Sequence, residues 1–453
     1  MAQATETVET VEAVWRLEAA RVVATLARYT GDLGLAEELA QDALVAALEQ
    51  WPAEGVPANP GAWLTAVGKR RAVDHFRRAE TLRRKVGELG RELEIDGEGH
   101  QDDTVLDAVD AALSDTAIDD DLLRLVFTAC HPVLSAEARV ALTLRVLGGL
   151  TTAEIARAFL VPEATAAQRV VRAKRALADA GVAFEVPDGP ERRRRLASVL
   201  EVVYLIFNEG YAATAGDDWL RADLCAEALR LGRVLAGLMP AEPEVHALTA
   251  LMEIQDSRRH ARTGPDGEPV LLLDQDRTKW DRLQIERGLA ALLRADRAFE
   301  AEVAAATGAT AEAAGHSADS QSPAAVEPGT YHLQAALAAC HARARSAEDT
   351  DWRLIADLYQ RLVQQTRSPV VELNRAVAVG MAEGPEAGLA ITDALTGLRA
   401  MRGYHLLPGV RGDLLVRLGR RAEAREEFER AAALTANTRE RALLLARAAA
   451  CGP

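Results

Sequence analysis

Hydrophobic positions recur along this chain at helical spacing almost throughout. Between residues 11 and 50, Val14, Leu17, Val22, Val23 and Leu26 alternate with Arg16, Arg21 and Arg28. Gly31 and Gly34 then break the pattern, and it resumes from Leu35 to Trp51. That second stretch places Leu35, Leu39, Ala43, Ala46 and Ala47 on an inner side and Glu37, Glu38, Gln41 and Asp42 on an outer one. The proline-punctuated run 52–60 is expected to be loop. A third helix follows from Gly61, with Ala62, Ala66, Val73 and Phe76 expected inward. Arg70, Arg71, Asp74, Arg77 and Arg78 point away from them. Helical periodicity returns at Asp121 and runs through residues 122–177. In the second half, apolar periodicity predicts helices over 192–214, 219–238, 242–262 and 281–300, with a turn-rich loop and a short extended apolar piece between the last two.

The most informative stretch is LTTAEIARAFLVPEATAAQRVVRAKRAL, residues 150–177. Thr151 or Thr152 can cap a first helix with Glu154 in its opening turn, and the residue before Pro162 is driven out of the α region. Thr165 is expected to cap a second helix. On that helix Thr165, Gln168, Arg169, Arg172 and Arg175 share one face, and Ala166, Val170, Ala173 and Leu177 the opposite one. Two short helices across a tight turn, the second with an Arg/Gln/Thr outer face, suit a helix-turn-helix reading the major groove. Taken alone, the stretch also fits an ordinary αα-hairpin with a solvated basic face. Likewise the basic helix after Gly61, with Trp63, His75 and Phe76 interleaved, fits either a surface that stacks on unpaired bases or a core helix with a solvating rim.

Composition narrows the class. Hydrophobic residues make up 49% of the 453, mostly Ala, Leu and Val, and aromatics only 4%, so an all-α fold with about three domains is expected. The formal net charge of −15 argues against indiscriminate polyanion binding and confines any nucleic-acid contact to local basic faces. The four cysteines, Cys130, Cys225, Cys340 and Cys451, form no C-x-x-C and fit free thiols in a reducing cytosol. The acidic N-terminal stretch is unlike a signal peptide, and no apolar run reaches membrane-spanning length, so a cytoplasmic protein is expected. Residues 86–120 are acidic and glycine-punctuated and read as a linker; 301–329, rich in Ala, Gly, Ser and Pro, read as a flexible one.

Near the C-terminus, VELNRAVAVGMAEGPEAGLAITDAL and DLLVRLGRRAEAREEFERAAAL align as two helical pairs, with turns placed at Gly380 and Gly419. That pattern reads as tetratricopeptide-like repeats, which stack into protein- or peptide-binding surfaces. Asn208, Glu209, Asp274, Asp276 and Arg277 are the polar residues of this half that an active site could use. They lack metal-ligand spacing, a nucleophile–base pair and a phosphate loop, so no catalytic residue, metal or cofactor is expected, and Cys130-His131 reads as a packed turn.

In their order and content, the motifs of the first 180 residues resemble a bacterial RNA polymerase sigma factor of the extracytoplasmic-function, sigma-70-like group. DLGLAEELAQDALVAALEQW looks like the region 2 helix that docks on polymerase, NPGAWLTAVGKRRAVDHFRR like the adjoining −10 helix, and residues 150–177 like region 4. The resemblance implies that Asp32, Glu37, Glu38, Gln41 and Asp42 face the β′ coiled coil of core polymerase, with the β flap as a further contact. It implies that 52–60 helps capture a flipped −10 base, and that Asn59, Trp63, Arg70, Arg71, Asp74, His75, Arg77 and Arg78 contact −10 DNA. Thr165, Gln168, Arg169, Arg172 and Arg175 would meet the −35 element. Ala166 and Ala167 depart from the polar or basic residues common at the head of that helix. Beyond it, CHP at 130–132, FNEGYAAT at 207–214, DLCAEALRL at 223–231 and DQDRTKWD at 274–281 resemble the subgroup with a long helical, tetratricopeptide-like extension thought to modulate sigma activity. The implied organisation is region 2 over 11–85, linker 86–120, region 4 over 121–180, an extension domain over 190–300, linker 301–329 and repeats over 330–453. A conventional helix-turn-helix regulator with a helical-repeat sensor is the competing expectation; it leaves the acidic face at 35–42 without a role.

Overall fold

The computed structural model describes residues 2–90, 115–211, 221–265, 268, 270–314, 327–435 and 437–452. Most of the expected 86–120 linker, part of the 301–329 linker and residues 212–214 of FNEGYAAT lie outside the described residues. Among the described residues there are eighteen α-helices, several 3₁₀ turns and no β-strand. The chain divides into two compact units, Met1–Leu205 and Ile206–Pro453.

In the first unit, α1 (Ala2–Thr30), α2 (Leu33–Glu54) and α3 (Pro60–Gly90) pack on one another, and α4 (Asp115–Ala129) packs on α1. Asp32 caps α2, accepting from the Gly34 and Leu35 amides at 2.6 and 3.1 Å. Contrary to expectation, α2 continues through Pro52. The proline falls in the last turn, so the helix forgoes only the bond an N–H there would give the Leu48 carbonyl, and Gly55 at φ 87° ends the helix three residues later. The inner face of α3 also differs from the expected one: Leu64, Thr65, Gly68 and Ala72 are buried, while Ala66 and Phe76 face outward. A Cβ on Gly68 would meet Leu26 Cδ1 at 2.7 Å, so glycine lets α1 and α3 approach closely, and this pulls the buried stripe round to 64–68–72.

The helix-turn-helix consists of α6 (Thr152–Ala158) and α7 (Glu163–Asp179), supported by α5 (Ala136–Val146). Thr151 and Glu154 form the expected capping box on α6. Thr165 does not cap α7: the helix begins at Glu163 behind Pro162, which has no side chain to donate or accept, and Thr165 is its third residue. The tight turn between the two helices puts Leu160 at φ 49°, a conformation that costs a non-glycine residue about 1 kcal/mol or more. On α7, Ala166, Val170, Ala173 and Leu177 are buried, as the spacing predicts.

The helix α8 (Gly189–Tyr211) begins in this unit. Arg195 donates to the Phe127 carbonyl at 3.0 Å and lies over the Phe127 ring, while Ser198 Oγ donates to the Cys130 carbonyl at 2.7 Å. Arg139 of α5 reaches Ser198 and pairs with Glu201 at 2.9 Å. Leu196, Val199, Leu200 and Val203 are buried. The CHP turn at 130–132 and the end of the helix before it are therefore held by residues that follow their partners by 68 positions in sequence.

The second unit runs through α9 (Ala222–Leu238), α10 (Pro243–Asp256), α11 (Arg282–Ala314), α12 (Thr330–Arg343) and α13 (Trp352–Thr366). It continues with α14 (Pro369–Ala382), α15 (Pro385–Thr396), α16 (Leu406–Arg417), α17 (Arg421–Leu434) and α18 (Thr438–Ala450). Where the sequence predicts a flexible linker from residue 301, α11 continues to Ala314, supported by the alanines at 304–306, 309, 311, 313 and 314. The apolar piece at 271–274 forms a 3₁₀ turn rather than an extended segment. DQDRTKWD is a structural knot: buried Arg277 donates to the His341 and Ala344 carbonyls at 2.7 Å and lies over Trp280, and Asp276 holds the Thr278 amide. Gly380 lies inside α14, not in a turn; the turn is at Gly384, φ 115°. From Gly384 to Gly419 the helical pairs repeat at a step of about 35 residues, close to the ~34 of tetratricopeptide pairs.

Two outcomes follow. Burial, with the neighbouring Arg258 and Arg277 guanidiniums, pushes the His341 pKa down from 6.5 to about 4. A depressed folded pKa means the unfolded chain takes the proton first. The stability tied to neutral His341 is therefore full above about pH 6.5 and is lost as pH falls toward 4, roughly 2 kcal/mol by pH 5. Denaturant melts of the wild type between pH 7 and 5 should show that loss, and His341→Gln should flatten it. Second, a chain ending at residue 185 lacks Arg195, Ser198 and the buried face of α8, so it should melt about 10 °C or more below one ending at 205; equal midpoints in calorimetry would show α8 is dispensable to the first unit.

Candidate nucleic-acid and polymerase interface

The basic surface of α3 is exposed. Arg70, Asp74, His75, Arg77 and Arg78 face solvent, and Phe76, 41% exposed, stands edge-on to His75 at 6.0 Å. An exposed phenylalanine beside arginines is what stacking on unpaired bases requires, and the core reading of Phe76 does not hold. Trp63 is half-buried and packs T-shaped on buried Trp51 at 5.4 Å. Asn59 accepts from the Ala62 amide at 3.1 Å, so its side chain serves the start of α3. Arg71 pairs with Asp42 at 3.0 Å, tying the basic helix to the acidic one.

On α7, Gln168, Arg172 and Arg175 are exposed, while Thr165 and Arg169 are half-buried. Arg175 pairs with Asp179 at 3.5 Å, both well exposed, a contact worth little in water. The face opposite these residues is anchored in the core, so the guanidinium and amide groups are held outward on a fixed helix.

The acidic face of α2 is divided. Glu38 is exposed, and Gln41 and Asp42 are half-buried. Asp32 is engaged as the helix cap described above. Glu37 is not on the surface, as its position in the helical pattern implied, but 7% exposed. Its carboxylate accepts from Arg145 Nε of α5 and from Lys174 Nζ of α7, each at 2.6 Å, with Gln41 at 3.4 Å. Burial alone would raise its pKa; the bonds and charges of Lys174 and Arg145 outweigh that and hold the carboxyl below its ordinary value. Arg145 also donates to the Leu150 carbonyl at 3.0 Å. Two further pairs join the same halves: Arg28 of α1 to buried Asp121 of α4 at 2.7 Å, and Arg16 to Glu154 at 3.4 Å. Arg145, Lys174 and Asp121 carry no signal in local spacing, since each meets a partner about 90 residues or more away.

No group of His, Cys, Asp or Glu among the described residues could hold a metal ion, and no helix there is long and apolar enough to cross a membrane.

Comparison with known proteins matches three segments of the chain. Residues 15–81 match the family described as sigma-70 region 2, and residues 124–177 that described as sigma-70 region 4. Residues 195–296 match a family of unknown function. An uncharacterized protein of Rhizobium meliloti, R00370, is 44% identical over 424 residues, covering 94% of this chain and 92% of that one. The ECF RNA polymerase sigma factor SigL of Mycobacterium tuberculosis is 32% identical over 151 residues, 33% of this chain and 76% of that one. The probable ECF RNA polymerase sigma factor SigI of the same organism is 29% identical over 182 residues, 40% of this chain and 59% of that one. No solved structure matches. With both sigma-70 regions matched in order and an extracytoplasmic-function factor matched over most of its length, the chain belongs to the extracytoplasmic-function sigma factors, which direct promoter-specific transcription initiation, and carries a long helical C-terminal extension.

Proposed function

We propose that the acidic face of α2, with Glu37, Glu38, Gln41 and Asp42, docks on the β′ coiled coil of core polymerase, and that region 4 lies at the β flap. In this reading α3 reads and melts the −10 element: Arg70, Arg71, Arg77 and Arg78 track phosphates, and Trp63, His75 and Phe76 receive unstacked bases, each extraction costing a few kcal/mol. The α7 helix reads the −35 element through Gln168, Arg169, Arg172 and Arg175, from the major groove. The observation that carries the reading is the exposure of Gln168, Arg172 and Arg175 on a helix whose opposite face is locked in the core. A body of net charge −15 binds duplex weakly by itself, so polymerase must present both DNA-reading helices together. The extension modulates this activity, its helical pairs offering a surface for a protein or peptide.

Run-off transcription with purified core polymerase on a promoter library tests the assignment. Transcripts sharing −35 and −10 elements are expected; tight binding of the protein alone to a duplex operator, with no transcript, would show a conventional regulator instead. Arg172→Ala should cost about 1–3 kcal/mol at one −35 position and relax its specificity. Uniform weakening across all −35 sequences would reassign it to the phosphate backbone. A chain ending at 205 should change the transcript level from a fixed start site, and an unchanged level would remove the modulatory role of the extension.

A further inference from the structure

Four consecutive arginines, Arg192 to Arg195, stand in the first two turns of α8. The residues matched to region 4 end at 177 and those matched to the family of unknown function begin at 195, so Arg193 and Arg194 lie in neither. Arg195 is turned inward onto the Phe127 carbonyl. Arg193 and Arg194 are exposed, Arg194 with 76% of its side chain in solvent. Arg193 has no ion pair or hydrogen-bonded side-chain partner among the described residues, and Arg194 pairs with Glu191 of the same helix at 2.5 Å. Neighbouring cations near the positive end of a helix dipole repel one another and raise the local potential. On a protein of net charge −15, this turn of α8 is therefore a point that attracts anions.

Its position is tied to that of the −35 helix. Ser198 holds the Cys130 carbonyl, and Arg139, near the head of α5, reaches both Ser198 and Glu201. Arg194, Ser198 and Glu201 share one side of α8, at i, i+4 and i+7, so Arg194 stands on the side that faces the head of α5. Glu137, in the first turn of α5, leads on to α7. Hydrogen bonds from its own amide and from Ser135, together with the charge of Arg169 on α7, hold its carboxyl below the ordinary value. A chain of contacts thus runs from the start of α8 through the head of α5 to the reading helix. In three-helix DNA readers whose third helix lies in the major groove, the segment entering the first helix lies along the adjacent minor groove. Here the three helices are α5, α6 and α7, and the entering segment is the turn 130–135 on which α8 is seated.

We propose that Arg193 and Arg194 form a DNA-backbone contact that the extension adds to region 4: with α7 in the major groove of the −35 element, they neutralise phosphates beside that element and read no base. Charge complementarity and continuity with the α7 face both favour DNA as the partner, and the planar guanidinium fork suits phosphate oxygens. Glu191 tempers the contact, because its carboxylate occupies Arg194 until a phosphate replaces it. Both side chains of that pair are solvent-exposed, so the pair is worth little and a phosphate can displace it. Asp188 and Glu137 are also exposed near this turn and lower its potential. The two arginines therefore act only when α7 has already brought them to the duplex, as a tethered second contact. The inference rests on the proposed −35 role of α7.

The test titrates core polymerase carrying the full-length chain onto a promoter duplex selected by run-off transcription, at a temperature that keeps the strands closed, from about 50 to 200 mM salt. The double variant Arg193→Gln, Arg194→Gln changes only exposed side chains, and its melting midpoint checks that it folds. It should bind about 10-fold more weakly, by the same factor for every −35 sequence, with the slope of log K against log salt shallower by about 1–2. Ethylation interference should lose the phosphates beside the −35 element that the wild type needs. Glu191→Gln frees Arg194 and should tighten binding about 2- to 3-fold. Arg172→Ala is the reference. Unchanged affinity and slope in the double variant, while Arg172→Ala relaxes −35 specificity, overturns the contact and leaves the −35 reading standing. A shifted base preference in the double variant also overturns it, by making these arginines base readers. If neither the double variant nor Arg172→Ala alters binding, the −35 reading falls and the contact with it.

Discussion

A carboxylate withdrawn from water costs several kcal/mol unless cations replace its hydration, and Glu37 is such a carboxylate. Arg145 and Lys174 supply the replacement, and in doing so they tie α2 to α5 and α7. Around that point the chain separates its charge by sign. Acidic side chains gather on α2, basic ones on α3 and on the outer side of α7, and ion pairs such as Arg71 with Asp42 stitch the boundaries. A strongly acidic protein thereby keeps two localised basic surfaces, which suits a subunit whose grip on DNA depends on a larger partner.

Much of this was legible in the sequence, because helical spacing is a local property. The inner stripe of α7 and the capping box at Thr151 could be read directly, since each depends on residues within a turn or two. The order of the motifs added what no single stretch could: acidic helix, basic helix and helix-turn-helix together identify a sigma factor, while each alone has an ordinary structural reading. What escaped depended on distant partners. The buried side of α3 is set by Gly68 against Leu26, so counting large apolar residues placed Phe76 on the wrong side. Glu37 reads as solvent-facing until cations more than 100 residues away come to it. Thr165 has the chemistry of a cap, but a helix starting behind Pro162 was already under way before it.

The repeats show the same limit. Small residues at close crossings, Gly388 on α15 beside Gly380 on α14 and Gly412 on α16 under the Phe428 ring, are what let these helices nest. Glycine in a helix interior and glycine in a turn look alike in sequence; only the left-handed backbone at Gly384 separates them, and it brings the step to that of a tetratricopeptide pair.

The bonds from α8 to the CHP turn also fix an order of events as the chain is made. Region 2 is complete once α3 has emerged, but the Cys130 carbonyl waits 68 residues for Ser198, and Phe127 as long for Arg195. At ribosomal rates of 5–20 residues per second that is about 3–14 s during which region 4 is unfinished and region 2 is already formed. The nascent chain therefore passes through a stage in which the Glu37 carboxylate lacks both of its cations, and region 4 is completed only after the extension has begun to appear.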